Sequence, residues 1–105
     1  MIVVSAPGNY GKPRPAVVVQ SDAIPGAHGS VIVCQMTSDL VDASDFRIDI
    51  EPTVTNGLKL RSQIMVDKPV AVRRERVGAV VGAIESSVVR RLDVAIAFMM
   101  GLADR

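Results

Sequence analysis

Cysteine and histidine are almost missing from this 105-residue chain, which has one of each, Cys34 and His28, and tryptophan is absent. A lone cysteine excludes an intrachain disulfide and fits a reducing compartment, so a cytoplasmic location is expected. One cysteine and one histidine cannot build an all-protein structural zinc site, and no metal site is expected. The aromatics are few: Tyr10, Phe46 and Phe98. That excludes a platform of several stacked aromatics for single-stranded nucleic acid. No apolar run approaches the ~18 residues of a membrane-spanning helix. Met1-Ile2-Val3-Val4-Ser5 lacks the basic start and long apolar region of a signal peptide, so no membrane association is expected. Gly-rich phosphate loops, HExxH and paired metal carboxylates are absent too, and no cofactor is expected. There is no internal repeat or low-complexity segment.

What is present is an aliphatic core. Apolar residues make up 49% of the chain, mostly Val, Ile, Leu and Ala. This length predicts a single domain over residues 1–105, able to bury roughly two-thirds of its unfolded surface. Net charge is +1, but the charges are not evenly spread. Between Asp39 and Glu51 five acids accompany Arg47; between Lys59 and Arg76 six bases accompany Asp67 and Glu75. A local basic excess attracts phosphate even when the whole chain is nearly neutral, although a solvated mixed surface is the commoner meaning of such a run.

The most unusual stretch is Gly11-Lys12-Pro13-Arg14-Pro15, followed by Ala16-Val17-Val18-Val19-Gln20. Proline fixes its own φ and pushes the preceding residue into extended conformations. Lys12 and Arg14 are therefore expected to be held extended, with Gly11 permitting a turn before them. Ile2–Ser5 reads as a first strand and 6–13 as a loop rich in turn residues. The apolar run to Gln20 lacks alternation, so a strand buried on both faces is expected. His28 falls in a Gly/Pro loop, where an exposed histidine is the commoner outcome than a general acid or base. Ser30–Met36 is a third strand, opening at Thr37-Ser38-Asp39. Phe46–Ile50 alternates as a half-buried strand. Asn56-Gly57 is a turn, and Leu58, Leu60 and Ile64–Val66 continue the sheet. Asp67-Lys68-Pro69 is expected to break it before a short strand at Val70–Val72. Val77–Ile84 carries Gly78 and Gly82 and reads as a last strand plus turn. Glu85-Ser86-Ser87 is expected to cap a helix over 86–102, whose apolar stripe is Val88, Leu92, Ala95, Ile96, Met99 and Leu102. The fold class is thus mainly β (α+β): a small antiparallel barrel with a C-terminal helix packed on it.

One constellation carries chemistry. If the strands starting at Arg14 and ending at Thr37 are adjacent and antiparallel, the start of one lies beside the end of the other. A guanidinium and a hydroxyl would then meet, which suits a phosphate. Such a pair stabilises a pentavalent phosphorane without a metal.

These residues carry a resemblance. GKPRPAVVVQSD, VIVCQMTS, NGLKLRSQIMVDKPVAV and a helix closing on Met-Gly-Leu occur in the order and spacing of the MazF/PemK (Kid) family of toxin endoribonucleases. The resemblance implies an SH3-like barrel of the CcdB/MazF type, a homodimer, and the toxin of a type II toxin–antitoxin module with a cognate antitoxin as partner. It implies metal-independent cleavage of single-stranded RNA or mRNA, with the 2′-OH attacking the phosphate to leave a 2′,3′-cyclic phosphate and a 5′-hydroxyl. The family's catalytic arginine falls on Arg14 and its threonine on Thr37. Lys12, Gln20, Gln35 and Ser38 are further candidates for RNA contact, beside ordinary strand-edge hydrogen bonding. The alternative is a CcdB-like gyrase poison, which shares the fold without the nuclease pair. A tryptophan near the C-terminus is typical of that group, and this chain has none.

Overall fold

The computed structural model describes residues 1–8, 12–26, 28–43 and 45–102. Six strands form one sheet: β1 (Ile2–Pro7), β2 (Pro13–Val18), β3 (Ser30–Thr37), β4 (Arg47–Ile50), β5 (Ser62–Arg73) and β6 (Val80–Ala83). A 3₁₀ turn, Arg74–Arg76, follows β5, and one helix, α1 (Ser86–Met100), closes the chain. The hydrogen-bonded order is β4-β5-β3-β2-β1-β6, and every neighbouring pair is antiparallel. This is the expected class, a curled antiparallel sheet with a C-terminal helix.

Alternation sorts the side chains onto two faces. On one face Val3, Val17, Cys34, Met36, Ile64 and Val66 pack with Leu92 and Ala95 of α1. On the other Ala6, Ala16, Val31, Val33 and Val72 form a second cluster with Val18 and Val77. Ala16 and Val17 are both fully buried, as expected of a strand covered on both sides. Each fully buried aliphatic side chain contributes roughly 1.5–3 kcal/mol, so the two clusters hold the sheet from both sides.

Several expected boundaries move. Residues 6 and 7 belong to β1, because Pro7 pairs with Pro13 and the Gly8 N–H donates to the Lys12 carbonyl at 2.8 Å. The strand β2 stops at Val18 rather than Gln20. The expected turn at Gly11 lies outside the described residues. Leu58 and Leu60 are not strand; β5 begins at Ser62.

The largest correction is at Asp67-Lys68-Pro69, which does not break the sheet. β5 runs through it as a single strand of 12 residues. Cys34 pairs with Pro69 while Met36 pairs with Ile64, so β5 spends three more residues than β3 between these pairs. The surplus makes a bend, and the sheet curls there. Pro69 also stands beyond Met65, the last residue paired with β4, so its missing N–H costs no ladder bond on that side. Inside the bend Arg47 Nε donates to Asp67 Oδ1 at 3.0 Å.

The helix ends at Met100, not Leu102, because Gly101 takes the left-handed conformation at φ 65°. Glu85 is the residue before the helix but makes no side-chain cap; its Oε1 accepts from Thr53 Oγ1 at 2.6 Å instead.

Candidate functional site

The β1–β2 hairpin, the end of β3 and the segment from Gly57 to Ser62 enclose a groove of about 500 Å³. Lys12, Arg14 and Pro15 form one wall, Lys59 and Leu60 another, and Met36 and Leu58 contribute apolar surface. Ser5, Ser38 and Ser62 add hydroxyls, and no carboxylate lines the groove among the described residues.

Each wall has a local cause. Proline on either side keeps Arg14 in β2, where it pairs with Ala6. Its stem lies over Gly8: a Cβ there would sit 2.7 Å from Arg14 Cδ and 2.8 Å from Cγ. The absent side chain at residue 8 is what lets the arginine cross the hairpin. Gln35 on β3 donates from Nε2 to the Pro7 carbonyl and ties the hairpin to β3.

The opposite wall grows from the turn before it. Asn56 is fully buried. Its Oδ1 accepts from the N–H groups of Thr53 and Leu58, both at 3.0 Å, and its Nδ2 donates to the Glu51 carbonyl at 2.9 Å. Gly57 has φ 69°, and a Cβ there would stand 2.3 Å from the Val81 carbonyl oxygen, so glycine is required on both counts.

Thr37 lies on the other side of β3 from Met36 and Ser38 and does not line the groove. It is 8% exposed, and its Oγ1 accepts from the Asp39 N–H at 3.0 Å. The β2–β3 register pairs Ala16 with Gln35. The paired ladder begins there, two residues after Arg14 and two before Thr37, so the start of β2 and the end of β3 lie at the same end of the sheet. The pair and the groove therefore adjoin at the end of the sheet where β2 begins and β3 ends, and Arg14 belongs to both.

The other candidates divide. Lys12 and Ser38 are exposed in the groove. Gln35 is half-buried beside the hairpin. Gln20 is not brought there: its Oε1 accepts from the Ile32 N–H at 3.0 Å at the far end of the strands. Six residues of extended chain, about 20 Å, separate it from Arg14. His28 sits exposed in its loop, where its carbonyl accepts from Arg74 Nε at 2.7 Å. Lys59, Ser5 and Ser62 were missed. Their signal was weak, because Asn56-Gly57 reads simply as a turn, and nothing local says which surface follows it.

Electrostatics separate this groove from the rest of the surface. Arg61 pairs with Asp49 and Glu51, and Lys68 with Asp67. None of Lys12, Arg14 and Lys59 forms an ion pair among the described residues. Partial burial tends to raise the Asp67 carboxyl, but the bond and charge of Arg47 outweigh it and hold the group below its usual range. Gln63 donates from Nε2 to Asp49 at 2.7 Å, and that bond is the main reason Asp49 is also held low. Burial, with the Asp67 charge, pushes the Cys34 thiol up to about 11. The one cysteine is therefore a neutral core residue near pH 7 and no nucleophile.

Residues 2–100 fit the family described as PemK-like, MazF-like toxin of type II toxin–antitoxin system. The chain belongs to this toxin family. A relative from Mycolicibacterium smegmatis, "Probable endoribonuclease MazF", is 38% identical over 100 residues, covering 94% of this chain and 91% of that protein. Among solved structures, Mycobacterium tuberculosis toxin MazF-mt6 shares the fold with a TM-score of 0.84 at 18% identity, covering 96% of this chain and 97% of that one. An endoribonuclease in complex with its cognate antitoxin, from a mycobacterial species, matches with a TM-score of 0.80 at 15% identity, covering 95% and 92%. In this PemK/MazF-type toxin the groove is lined by Lys12, Arg14 and Lys59, and Thr37 lies at the strand end beside it. Among the described residues, no group of three or more His, Cys, Asp and Glu side chains is placed to hold a metal ion. No helix there is long and apolar enough to cross a membrane.

Proposed function

We propose that this toxin cuts single-stranded RNA or mRNA at the junction of Arg14 and Thr37, without a metal. The chain is a MazF-like endoribonuclease toxin, and kinship does not favour the CcdB-like gyrase poison. The RNA's own 2′-OH attacks the adjacent phosphorus, the 5′-oxygen leaves, and the products carry a 2′,3′-cyclic phosphate and a 5′-hydroxyl. The single observation behind this reading is the antiparallel pairing of β2 with β3, which brings the strand start carrying Arg14 and the strand end carrying Thr37 to one end of the sheet, beside a groove lined by cations.

The chemistry follows from what each side chain can do. The attacking oxygen adds to the phosphorus, and negative charge builds on the equatorial oxygens. Arg14 presents a planar, permanently charged fork that meets two of them. Its role is electrostatic, since a guanidinium stays protonated and serves poorly as a base. Thr37 Oγ1 already accepts the Asp39 N–H, so its own proton is left to donate to a phosphate oxygen. Lys12 and Ser38 hold the strand on the groove side, with Gln35 keeping the hairpin in place. The nucleophile comes from the substrate, so no activated serine or cysteine is needed.

The chain acts as a single toxin domain, as a homodimer in the cytoplasm, held in check by a cognate antitoxin. Solved structures of the same fold include an endoribonuclease in complex with its cognate antitoxin and a MazE–MazF assembly from Deinococcus radiodurans, which supports the partner. Incubating the purified protein with mixed-sequence RNA in EDTA tests the reaction. Cyclic-phosphate ends that vanish in Arg14→Ala support it. Intact RNA together with trapped gyrase–DNA complexes would overturn it.

A further inference from the structure

Lys59 is a groove cation that the proposed chemistry leaves unused. It lines the same groove as Lys12 and Arg14, exposed, in the segment that follows Asn56 and Gly57. That segment is rigidly founded. The Asn56 side chain clasps the Leu58 N–H, and Gly57 is pressed against the Val81 carbonyl. The flexible stem therefore starts from a fixed point on the rim. Arg61 and Lys68, in the same basic run, are tied to acids, whereas Lys59 forms no ion pair among the described residues. A cation kept clear of carboxylates, in the same groove as Lys12 and Arg14, is a point-charge site for one more anion of a polyanionic strand.

We propose that Lys59 binds the phosphate next along the RNA from the scissile one. This rests on the nuclease reading above and extends it to the substrate's path. Lys59 touches no reacting atom; it positions the strand.

The test uses the full chain and an oligoribonucleotide spanning a mapped cut site. A matching oligonucleotide carries 2′-deoxyribose at the cut position, which removes the nucleophile and reports binding alone. Fluorescence anisotropy across a KCl series gives the slope of log K against log salt. Lys59→Gln is expected to weaken binding about five- to tenfold at low salt and to lower the slope by about 0.7, the value of one single-strand phosphate contact. The cleavage assay should show KM rising while kcat stays within about twofold. Lys59→Arg should restore both. Arg76→Gln removes the same charge from the exposed 3₁₀ turn outside the groove and should leave the slope unchanged. Unchanged melting temperatures certify that the variants are folded.

An unaltered slope in Lys59→Gln overturns the proposal. So does an equal loss of slope in Arg76→Gln, which would mean a general field rather than a local contact. A fall in kcat at constant KM overturns it as well. Wild-type protein that binds the deoxy analogue but cuts no RNA would sink the nuclease reading, and Lys59 would still be judged by the slope.

Discussion

Arg14 is held by its neighbours rather than by a partner charge. Two prolines set its backbone, and Gly8 makes room for its stem. Arg14→Lys keeps the charge and loses the fork, so the cleavage rate should fall by about 10²-fold, measured as cyclic-phosphate product per unit time. A rate within threefold of wild type would show that charge alone suffices. Thr37→Ala removes the acceptor of the Asp39 N–H and the free hydroxyl proton together. Stability should fall by about 1 kcal/mol in urea unfolding, while cleavage should fall far more, and Thr37→Ser should recover most of both. A loss of activity no larger than the loss of stability would reduce Thr37 to a structural hydroxyl. At this scale the sequence was legible for Arg14, since its proline neighbours act locally. It was misleading for Gln20, because nothing in a strand end says which end of the sheet it will occupy.

The turn before Lys59 and the bend in β5 are the two elements whose logic is least visible in the sequence. Asn56 replaces backbone partners for a turn that the sheet does not pair. Its removal leaves the buried Leu58 N–H, and the partly buried Thr53 N–H and Glu51 carbonyl, without their bonds. Asn56→Ala should therefore cost about 2–3 kcal/mol in chemical denaturation, with cleavage falling as the Lys59 wall loosens. A cost below about 0.5 kcal/mol would mean the turn is held by other means. The β5 bend predicts a pH effect. Asp67 is held below its usual range by Arg47, so its folded pKa is lower than its unfolded one. Its contribution is complete above the unfolded carboxylate value of about 4 and is lost as the pH falls through the depressed folded value. The stability advantage of wild type over Asp67→Asn should therefore be constant from pH 5 to 7 and shrink below about pH 4. A gap that persists unchanged at pH 2–3 would assign the effect to packing.

Over the whole molecule, strand order makes the site. β2 and β3 are neighbours at the centre of the sheet, while the Lys59 wall arrives from the segment between β4 and β5. Groove cations meet the substrate's charge, so cleavage should survive an excess of EDTA and decline as KCl rises, read on one labelled transcript. Activity abolished by EDTA and restored by Mg²⁺ would contradict this site. Light scattering of the purified toxin should give twice the chain mass; a monomer at micromolar concentration would remove the homodimer from the reading.

By itself the sequence determined what local chemistry controls. Short aliphatic runs, alternating only at Phe46–Ile50, declared strands, the stripe from Val88 to Met99 declared the helix, and proline set the arginine. Those signals act through φ, side-chain period and burial, all written within a few residues. Tertiary structure decided the rest. Pro69 stays inside β5 because β4 ends beside it, a fact that no tripeptide contains. Lys59 shares a groove with Arg14, and Asn56 and Gly57 lock the turn before it against Val81, residues far apart along the chain. Pairings between distant segments are set by the register of the whole sheet and by buried hydrogen bonds, and neither has a period that can be read along the sequence.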